Sequence, residues 1–123
     1  MARLLLIDDD KRFVELLQTF FNGQGHTTEI GFDGQMAVRS ALAQAPDLII
    51  MDFQMPMTHG GKAIDYMRRS EALKNVPIII LSGAPEVEVV KALAPYKNVL
   101  YLKKPFPLIE LDKIVKLALG GRT

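Results

Sequence analysis

The sequence predicts a doubly wound α/β domain in which five parallel β-strands alternate with five α-helices. Short runs that are apolar at every position, such as LIIM at 48–51 and IIIL at 78–81, are typical of strands buried on both faces of a parallel sheet. Between such runs lie longer segments with apolar side chains at helical spacing, joined by short polar connections. This alternation favours a parallel sheet with helices on both faces.

Length and composition limit the possible organisation. With 123 residues, 49% of them hydrophobic, we expect residues 1–123 to form one domain. No apolar run approaches the roughly 20 residues of a spanning helix, and the N-terminal MARLLLIDDD turns acidic too early for a signal peptide, so we expect a cytoplasmic protein. The lack of cysteine excludes disulfides and thiolate metal sites. A net charge of +1 gives no electrostatic basis for nucleic-acid binding.

The first half of the chain is predicted to hold three strands and two helices. In order, these are a strand at Arg3–Ile7, a helix over about Lys11–Phe21, a weak edge strand at His26–Ile30, a helix over about Gln35–Gln44 and the central strand at Leu48–Met51. The first helix is predicted to begin after a capping Asp10. Its predicted core stripe comprises Phe13, Leu16, Leu17, Phe20 and Phe21. The second helix is predicted to bury Met36, Ala37, Ala41 and Leu42.

The second half continues the alternation. The predicted elements are a helix over about Gly61–Ser70, a strand from Pro77 to Ser82, a helix over about Pro85–Leu93, a strand at Val99–Leu102 and a helix over about Leu108–Leu119. On the fourth helix, Val87, Val90 and Leu93 are expected to face inward. Arg68 and Arg69 are interpreted as a solvated face. His59 is interpreted as a surface residue and His26 as an edge-strand residue, and neither indicates a metal site.

Polar residues follow four of the predicted strands at the point where each strand ends. Asp8 and Asp9 follow the first strand, Asp52 the third and Ser82 the fourth, and Lys104 stands after the fifth. Because the carboxyl ends of parallel strands share one edge of the sheet, where open α/β sheets bind ligands, we expect these residues to form one site.

The predicted constellation indicates phosphoryl-transfer chemistry. Carboxylates gathered in a partly dry crevice need a cation to stay ionised, and Mg²⁺ prefers oxygen ligands and accepts phosphate oxygens. Aspartate is an established nucleophile that forms an aspartyl phosphate. The cation and Lys104 would stabilise charge on the equatorial oxygens, which leaves alignment of the attacking and leaving oxygens as the remaining requirement.

Four motifs together resemble the receiver domains of bacterial two-component response regulators, including the chemotaxis regulators. They are LLLIDDD, MDFQMPMTHG, PIIILSGA and YLKKPF, and the resemblance extends from about Arg3 to Leu119. It implies a flavodoxin-like sheet with the strand order 2-1-3-4-5. This order comes from the resemblance and not from the hydrophobic pattern.

Position by position, the resemblance implies that Asp52 accepts a phosphoryl group from the phosphohistidine of a sensor histidine kinase or of a phosphotransfer protein. Asp8 and Asp9 would bind Mg²⁺ together with Asp52 itself. The backbone carbonyl of Gln54 would complete the protein ligands.

The same resemblance assigns roles around the phosphate. Ser82, where threonine is common, would donate a hydrogen bond to the phosphoryl group, and Lys104, the lysine directly before proline, would pair with it. Tyr101 occupies the aromatic switch position, where the ring moves inward when the hydroxyl residue closes on the phosphate. Gln54 and Ala84 match positions that influence phosphate lifetime.

Output is expected through a changed protein surface made by the fourth helix, the fifth strand and the last helix. The partners implied are a downstream protein target or an attached effector domain, with a homodimer on phosphorylation as a further option. Such a protein is a regulator that assists only its own phosphorylation and dephosphorylation. No binding to membranes or directly to nucleic acid is expected.

Two other functions are compatible with parts of the pattern. Asp8 and Asp10 form the Asp-x-Asp of haloacid-dehalogenase-like phosphatases, but Arg12 stands where that pattern has threonine or valine, no acidic pair follows Lys104, and 123 residues leave no room for a cap domain. The other alternative is a receiver-shaped interaction module that works without phosphorylation. No motif favours it, since every expected site residue is present.

Overall fold

A computed structural model describes residues 2–54 and 60–120. Within these residues, strands and helices alternate as the sequence predicts. The elements are β1 (Arg3–Ile7), α1 (Lys11–Gly23), β2 (Thr27–Gly31), α2 (Gly34–Ala43), β3 (Leu48–Asp52), α3 (Gly60–Arg68), β4 (Ile78–Ser82), α4 (Glu86–Leu93), β5 (Val99–Lys103) and α5 (Leu108–Leu119). None of the helices in this part of the chain is both long and apolar enough to cross a membrane.

The five strands form one parallel sheet in the order β2-β1-β3-β4-β5. This confirms the fold class and the strand order that the resemblance implies. The uninterrupted apolar runs are the central strands, since β3 and β4 are buried at every position. Because the order reverses between β1 and β3, the carboxyl ends of these two neighbours border the crevice in which such sheets bind ligands.

Side chains of each central strand alternate between two cores. Ile49 and Met51 of β3 belong to the core beneath α2, α3 and α4, which also holds Ala37, Ile64, Met67, Val89 and Leu93. Leu48 and Ile50 point to the opposite core beneath α1 and α5, which also holds Val14, Leu17, Phe21, Leu111 and Val115. Because helices cover both faces of the sheet, the site residues lie at the carboxyl ends of its strands.

The predicted inward faces of α1, α2 and α4 are each partly wrong. On α1 the buried positions are Val14, Leu17 and Phe21, whereas Leu16 is 51% exposed. On α2, Leu42 is exposed at 55%. On α4, Val89 and Leu93 are buried, while Val87 and Val90 face outward. In each case apolar residues on adjacent helical positions made more than one stripe possible, and the true stripe follows the i, i+3, i+4 and i+7 spacing of the core contact.

The interpretation of Arg68 as a solvated residue is wrong. Its guanidinium donates hydrogen bonds to backbone carbonyls in the segment before β4 and in the segment before β5, namely those of Leu73, Val76, Lys97 and Asn98. Arg68 therefore ties two connections to the end of α3. The interpretation is correct for Arg69, whose side chain is 72% exposed and forms an ion pair with Asp65.

The interpretation of His26 also needs correction. His26 precedes β2 and is 9% exposed. Its Nδ1 atom accepts a hydrogen bond of 3.2 Å from the backbone N–H of Ala2, and its ring lies beside Phe21. Burial lowers the pKa of His26, which favours the neutral ring that can accept this bond. His59 lies outside the described residues.

Candidate functional site

Three carboxylates meet at the carboxyl ends of β1 and β3. Asp8 directly follows β1 and is 1% exposed, and Asp52 is the last residue of β3 and is 8% exposed. Asp9 faces solvent, yet an oxygen of each of the three carboxylates lies within 4.8 Å of the others. The two strands place them there because Ile7 and Met51 are paired in register. The predicted convergence of these residues is therefore present.

Asp10 has a different role from the other two members of the acidic triplet. Its Oδ1 atom accepts hydrogen bonds from the N–H groups of Arg12 (3.1 Å) and Phe13 (3.2 Å), so it caps α1 as predicted. Its own backbone N–H donates to Oδ1 of Asp8 at 2.9 Å. That bond fixes the orientation of the Asp8 carboxylate toward the cluster.

Lys104 supplies a positive charge at the same edge. Its Nζ atom lies 3.1 Å from Oδ2 of Asp8 and 3.4 Å from Oδ1 of Asp52. Its backbone N–H donates to the carbonyl of Ser82 at 2.8 Å, which continues the β4–β5 ladder past the end of β5. The face of the Phe13 ring also lies 5.0 Å from Nζ. Sequence reasoning assigned Phe13 only to the core, because its place in an apolar stripe carries no sign of a contact with Lys104.

Burial and mutual repulsion perturb the carboxylates. The pKa of Asp52 is raised from 3.8 to about 6, chiefly by burial and then by the charge of Asp8, while Lys104 opposes both effects. Burial likewise raises the pKa of Asp8. For Lys104, burial alone would lower the pKa, but the hydrogen bond to Asp8 and the charge of Asp52 outweigh it, so the pKa is raised. One ammonium among three carboxylates leaves excess negative charge, which favours binding of a further cation.

The donor set fits a hard divalent cation. Mg²⁺ prefers carboxylate and carbonyl oxygens and keeps several waters, and the carboxylates of Asp8, Asp9 and Asp52 offer such oxygens close together. Within the described residues these three could hold Mg²⁺ with an exposed side at Asp9 for water or substrate.

A cleft of about 320 Å³ opens beside Asp52 toward the end of β4. Its lining residues are Asp52, Gln54, Ser82, Gly83, Ala84, Pro85 and Lys104. Ser82 is 1% exposed, and its Oγ atom accepts a hydrogen bond of 3.0 Å from the N–H of Ala84. The cleft thus brings a carboxylate, an ammonium and a hydroxyl around a space for a small polar group.

Tyr101 is not among the described residues that line this cleft. It lies in β5 opposite Ile80, and its ring packs against the core that contains Ala84 and Val89. Its hydroxyl is buried and has no hydrogen-bond partner within residues 2–54 and 60–120. The ring is therefore linked to the cleft through the residues after Ser82, and not by direct contact with Asp52.

Comparison with known proteins relates the whole fold to one family. The model of the response regulator receiver domain matches residues 4–116. The chain is 34% identical over 117 residues to the regulatory protein AtoC of Escherichia coli, an alignment that covers 95% of this chain and 25% of AtoC. It is 33% identical over 118 residues to the DNA-binding response regulator MtrA of Mycolicibacterium paratuberculosis, covering 95% of this chain and 51% of MtrA. The chain thus spans a quarter to a half of the length of these relatives.

Solved structures agree with this relationship. The receiver domain of the sensor histidine kinase PA1611 from Pseudomonas aeruginosa superimposes with a TM-score of 0.87 at 31% sequence identity, and the match covers 98% of each chain. That structure has a magnesium ion coordinated in its active-site cleft.

Proposed function

Because this chain belongs to the response regulator receiver domain family, we propose that it is a phosphoacceptor switch in which Asp52 takes a phosphoryl group from the phosphohistidine of a sensor histidine kinase or a phosphotransfer protein. The observation that supports this most is the cluster of Asp8, Asp9 and Asp52 with the ammonium of Lys104 3.4 Å from Asp52. A nucleophilic carboxylate with positive charge beside it suits phosphoryl transfer, in which positioning and electrostatic stabilisation dominate.

In the transfer, an oxygen of Asp52 attacks phosphorus, an O–P bond forms, and the N–P bond of the donor breaks. The imidazole leaves and takes its proton from solvent. Asp52 must be ionised to attack, and a pKa of about 6 keeps it ionised at neutral pH while making it more basic than an ordinary aspartate. Before the transfer the ammonium of Lys104 pairs with the carboxylate of Asp52, and after it the ammonium would pair with the negatively charged phosphoryl oxygens.

Asp8, Asp9 and Asp52, with the backbone carbonyl of Gln54, would hold Mg²⁺ in this proposal. When bound, the cation supplies positive charge to the phosphoryl oxygens. The magnesium ion in the active-site cleft of the PA1611 receiver domain supports a cation in the corresponding cleft here.

Ser82 and Tyr101 would convert the covalent change into a conformational one. The hydroxyl of Ser82 accepts from Ala84 and lines the cleft, so it can donate to a phosphoryl oxygen on Asp52. A shift of the segment after Ser82 changes the space beside the Tyr101 ring, which then moves inward. Gln54 and Ala84 line the same cleft, so their side chains would govern access of water and hence the lifetime of the phosphate.

The output surface would comprise α4, β5 and α5. These elements carry large apolar side chains that are at least 40% exposed: Val87, Val90, Leu100, Ile109 and Leu117. Such side chains suit a protein partner, either a separate target, an attached effector domain or a second copy of the chain.

Because the relatives are longer than this chain, nucleic-acid binding by a full-length protein would belong to another segment. A cytoplasmic location fits a partner kinase on that side of the membrane.

The test is phosphorylation by a phosphorylated histidine kinase or a small acyl phosphate with Mg²⁺, followed by intact-mass measurement. We expect a single label that Asp52→Asn abolishes. Asp10→Asn is the matched control, because asparagine caps a helix about as well as aspartate and Asp10 lies outside the carboxylate cluster. If the protein bound Mg²⁺ but was not labelled, the switch hypothesis would be rejected in favour of the interaction module that works without phosphorylation. Sustained hydrolysis of a small phosphate ester would favour the phosphatase.

A further inference from the structure

We propose that Phe13 is a positioning residue that holds the ammonium of Lys104 at the carboxylate cluster. The inference rests on the proposed function, because Lys104 acts there on the phosphoryl group. It adds a residue on α1 to a site otherwise built from strand ends.

The contact geometry defines the arrangement. Nζ of Lys104 lies 5.0 Å from the centroid of the Phe13 ring, within the distance of about 6 Å at which a cation is attracted to a ring face. The same atom is within 3.4 Å of Asp8 and Asp52. The Lys104 side chain is 31% exposed, so without the ring it has room to turn toward water.

Two contacts fix the position of the Phe13 ring. Phe13 lies in the first turn of α1, and its backbone N–H donates to the capping Oδ1 of Asp10 at 3.2 Å. The ring of Phe106 meets it edge to face, with centroids 6.2 Å apart and planes at 71°. Phe13, Phe106 and Lys104 line a pocket of about 270 Å³ next to the cleft. The ring face toward Lys104 is therefore set by the helix start and by its aromatic neighbour.

This contact matters because the carboxylates serve two cations. A divalent cation held by Asp8 and Asp52 would weaken their attraction for Lys104 and would repel its ammonium. The ring of Phe13 attracts the ammonium without contributing a ligand to the divalent cation. We therefore expect Phe13 to keep the ammonium of Lys104 near the site when a divalent cation is bound, so that it can pair with the phosphoryl group.

The experiment compares Phe13→Leu with Phe20→Leu, a matched change on the same helix whose ring contacts Phe21. The readouts are Mg²⁺ affinity, affinity for beryllofluoride as a phosphoryl analogue, and the rate of labelling by an acyl phosphate. For Phe13→Leu we expect the last two to fall about two- to fivefold, with Mg²⁺ affinity unchanged or higher. Phe20→Leu should change none of them.

Graded fluorination of the Phe13 ring separates attraction from packing. Fluorine withdraws electron density from the ring face and largely keeps the ring's shape, so analogue affinity should fall stepwise with each added fluorine. The ε-protons of Lys104 should also lose their ring-current shift in Phe13→Leu, an NMR signal that does not depend on phosphorylation.

Three results would overturn the inference: equal analogue binding by Phe13→Leu and wild type, a parallel loss of Mg²⁺ and analogue binding, or no response to fluorination. If the wild type bound Mg²⁺ but took neither analogue nor phosphate, the proposed function would fail instead. The Lys104 proton shift would still decide whether Phe13 positions the ammonium.

Discussion

Lys104 and Asp52 form an ion pair, with Nζ of the lysine 3.4 Å from Oδ1 of the aspartate. The ammonium therefore lies beside the proposed nucleophile, next to the carboxylate oxygens that would also bind a divalent cation. Lys104 and a metal would compete electrostatically for the same carboxylates, although in the proposed transfer both would stabilise the phosphoryl group.

Replacement of Lys104 by methionine should tighten Mg²⁺ binding and impair the switch. Loss of one nearby positive charge is expected to raise Mg²⁺ affinity about tenfold, roughly 1.4 kcal/mol, while beryllofluoride binding weakens. Isothermal titration with each ligand measures both effects. Lys103→Met is the control, because its side chain is exposed and it has no ion pair to the cluster among the described residues. Weaker Mg²⁺ binding in Lys104→Met would contradict the competition.

Asp52 should make the folded protein less stable as pH rises from about 4 to about 6. Its pKa is raised from 3.8 to about 6 in the folded state, so over this interval the folded protein holds a proton that the unfolded chain has released. The free energy of unfolding therefore falls with pH and stays lower above pH 6. Asp8, whose pKa is also raised, acts in the same direction.

Urea unfolding without divalent cations, from pH 4 to 7.5, measures this dependence. Asp52→Asn should flatten it and raise the free energy of unfolding at pH 7 by on the order of 1–2 kcal/mol, allowing for solvent screening. Glu71→Gln, a change at a carboxylate that is 90% exposed, should leave the profile unchanged. A profile of equal slope in wild type and Asp52→Asn would refute the assignment.

Arg68→Met should destabilise the fold by about 2–4 kcal/mol, because it removes hydrogen bonds from a charged guanidinium to four backbone carbonyls, although those of Leu73 and Asn98 keep a backbone N–H donor. Arg69→Met changes the adjacent residue, whose ion pair with Asp65 is exposed, and should cost no more than about 1 kcal/mol. Chemical unfolding of both variants tests the difference. Similar losses in the free energy of unfolding for the two variants would mean that water hydrogen-bonds to the carbonyls when Arg68 is removed.

Tyr101→Phe should stabilise the protein by about 1 kcal/mol, because it removes a buried hydroxyl that has no partner in the described part of the chain. Tyr96→Phe gives the opposite case, since the hydroxyl of Tyr96 donates to Asp65 at 3.2 Å, and we expect a small loss of stability. The two midpoints of thermal unfolding should move in opposite directions. A loss of stability in Tyr101→Phe would indicate that its hydroxyl has a partner after all.

The location of the site could be predicted because its residues interrupt apolar runs. Asp8, Asp52 and Ser82 each stand where a buried strand ends, and parallel strands bring such ends together without any knowledge of side-chain contacts. The strand order was different: it came from the resemblance, since hydrophobic periodicity identifies strands and does not say which are neighbours.

Other features depend on geometry that the pattern does not contain. Valines at 87, 89 and 90 allow two faces for α4, and only contact with the sheet selects Val89. Arg68 has the ordinary sequence environment of a surface arginine, and its role arises from carbonyls of two segments later in the chain. The contact between Phe13 and Lys104 joins the start of α1 to the end of β5, which no local signal indicates.

The separation of Asp8 and Lys104 by 96 positions has a consequence during protein synthesis. A ribosome adding about 5–20 residues per second translates Asp8 several seconds before it reaches the lysine. In that interval β4 lacks the neighbour that continues the ladder to Lys104, and the nascent carboxylates lack their ammonium. If Asp52 is the phosphoacceptor, an unfinished chain is therefore expected not to react with phosphodonors before Lys104 is in place.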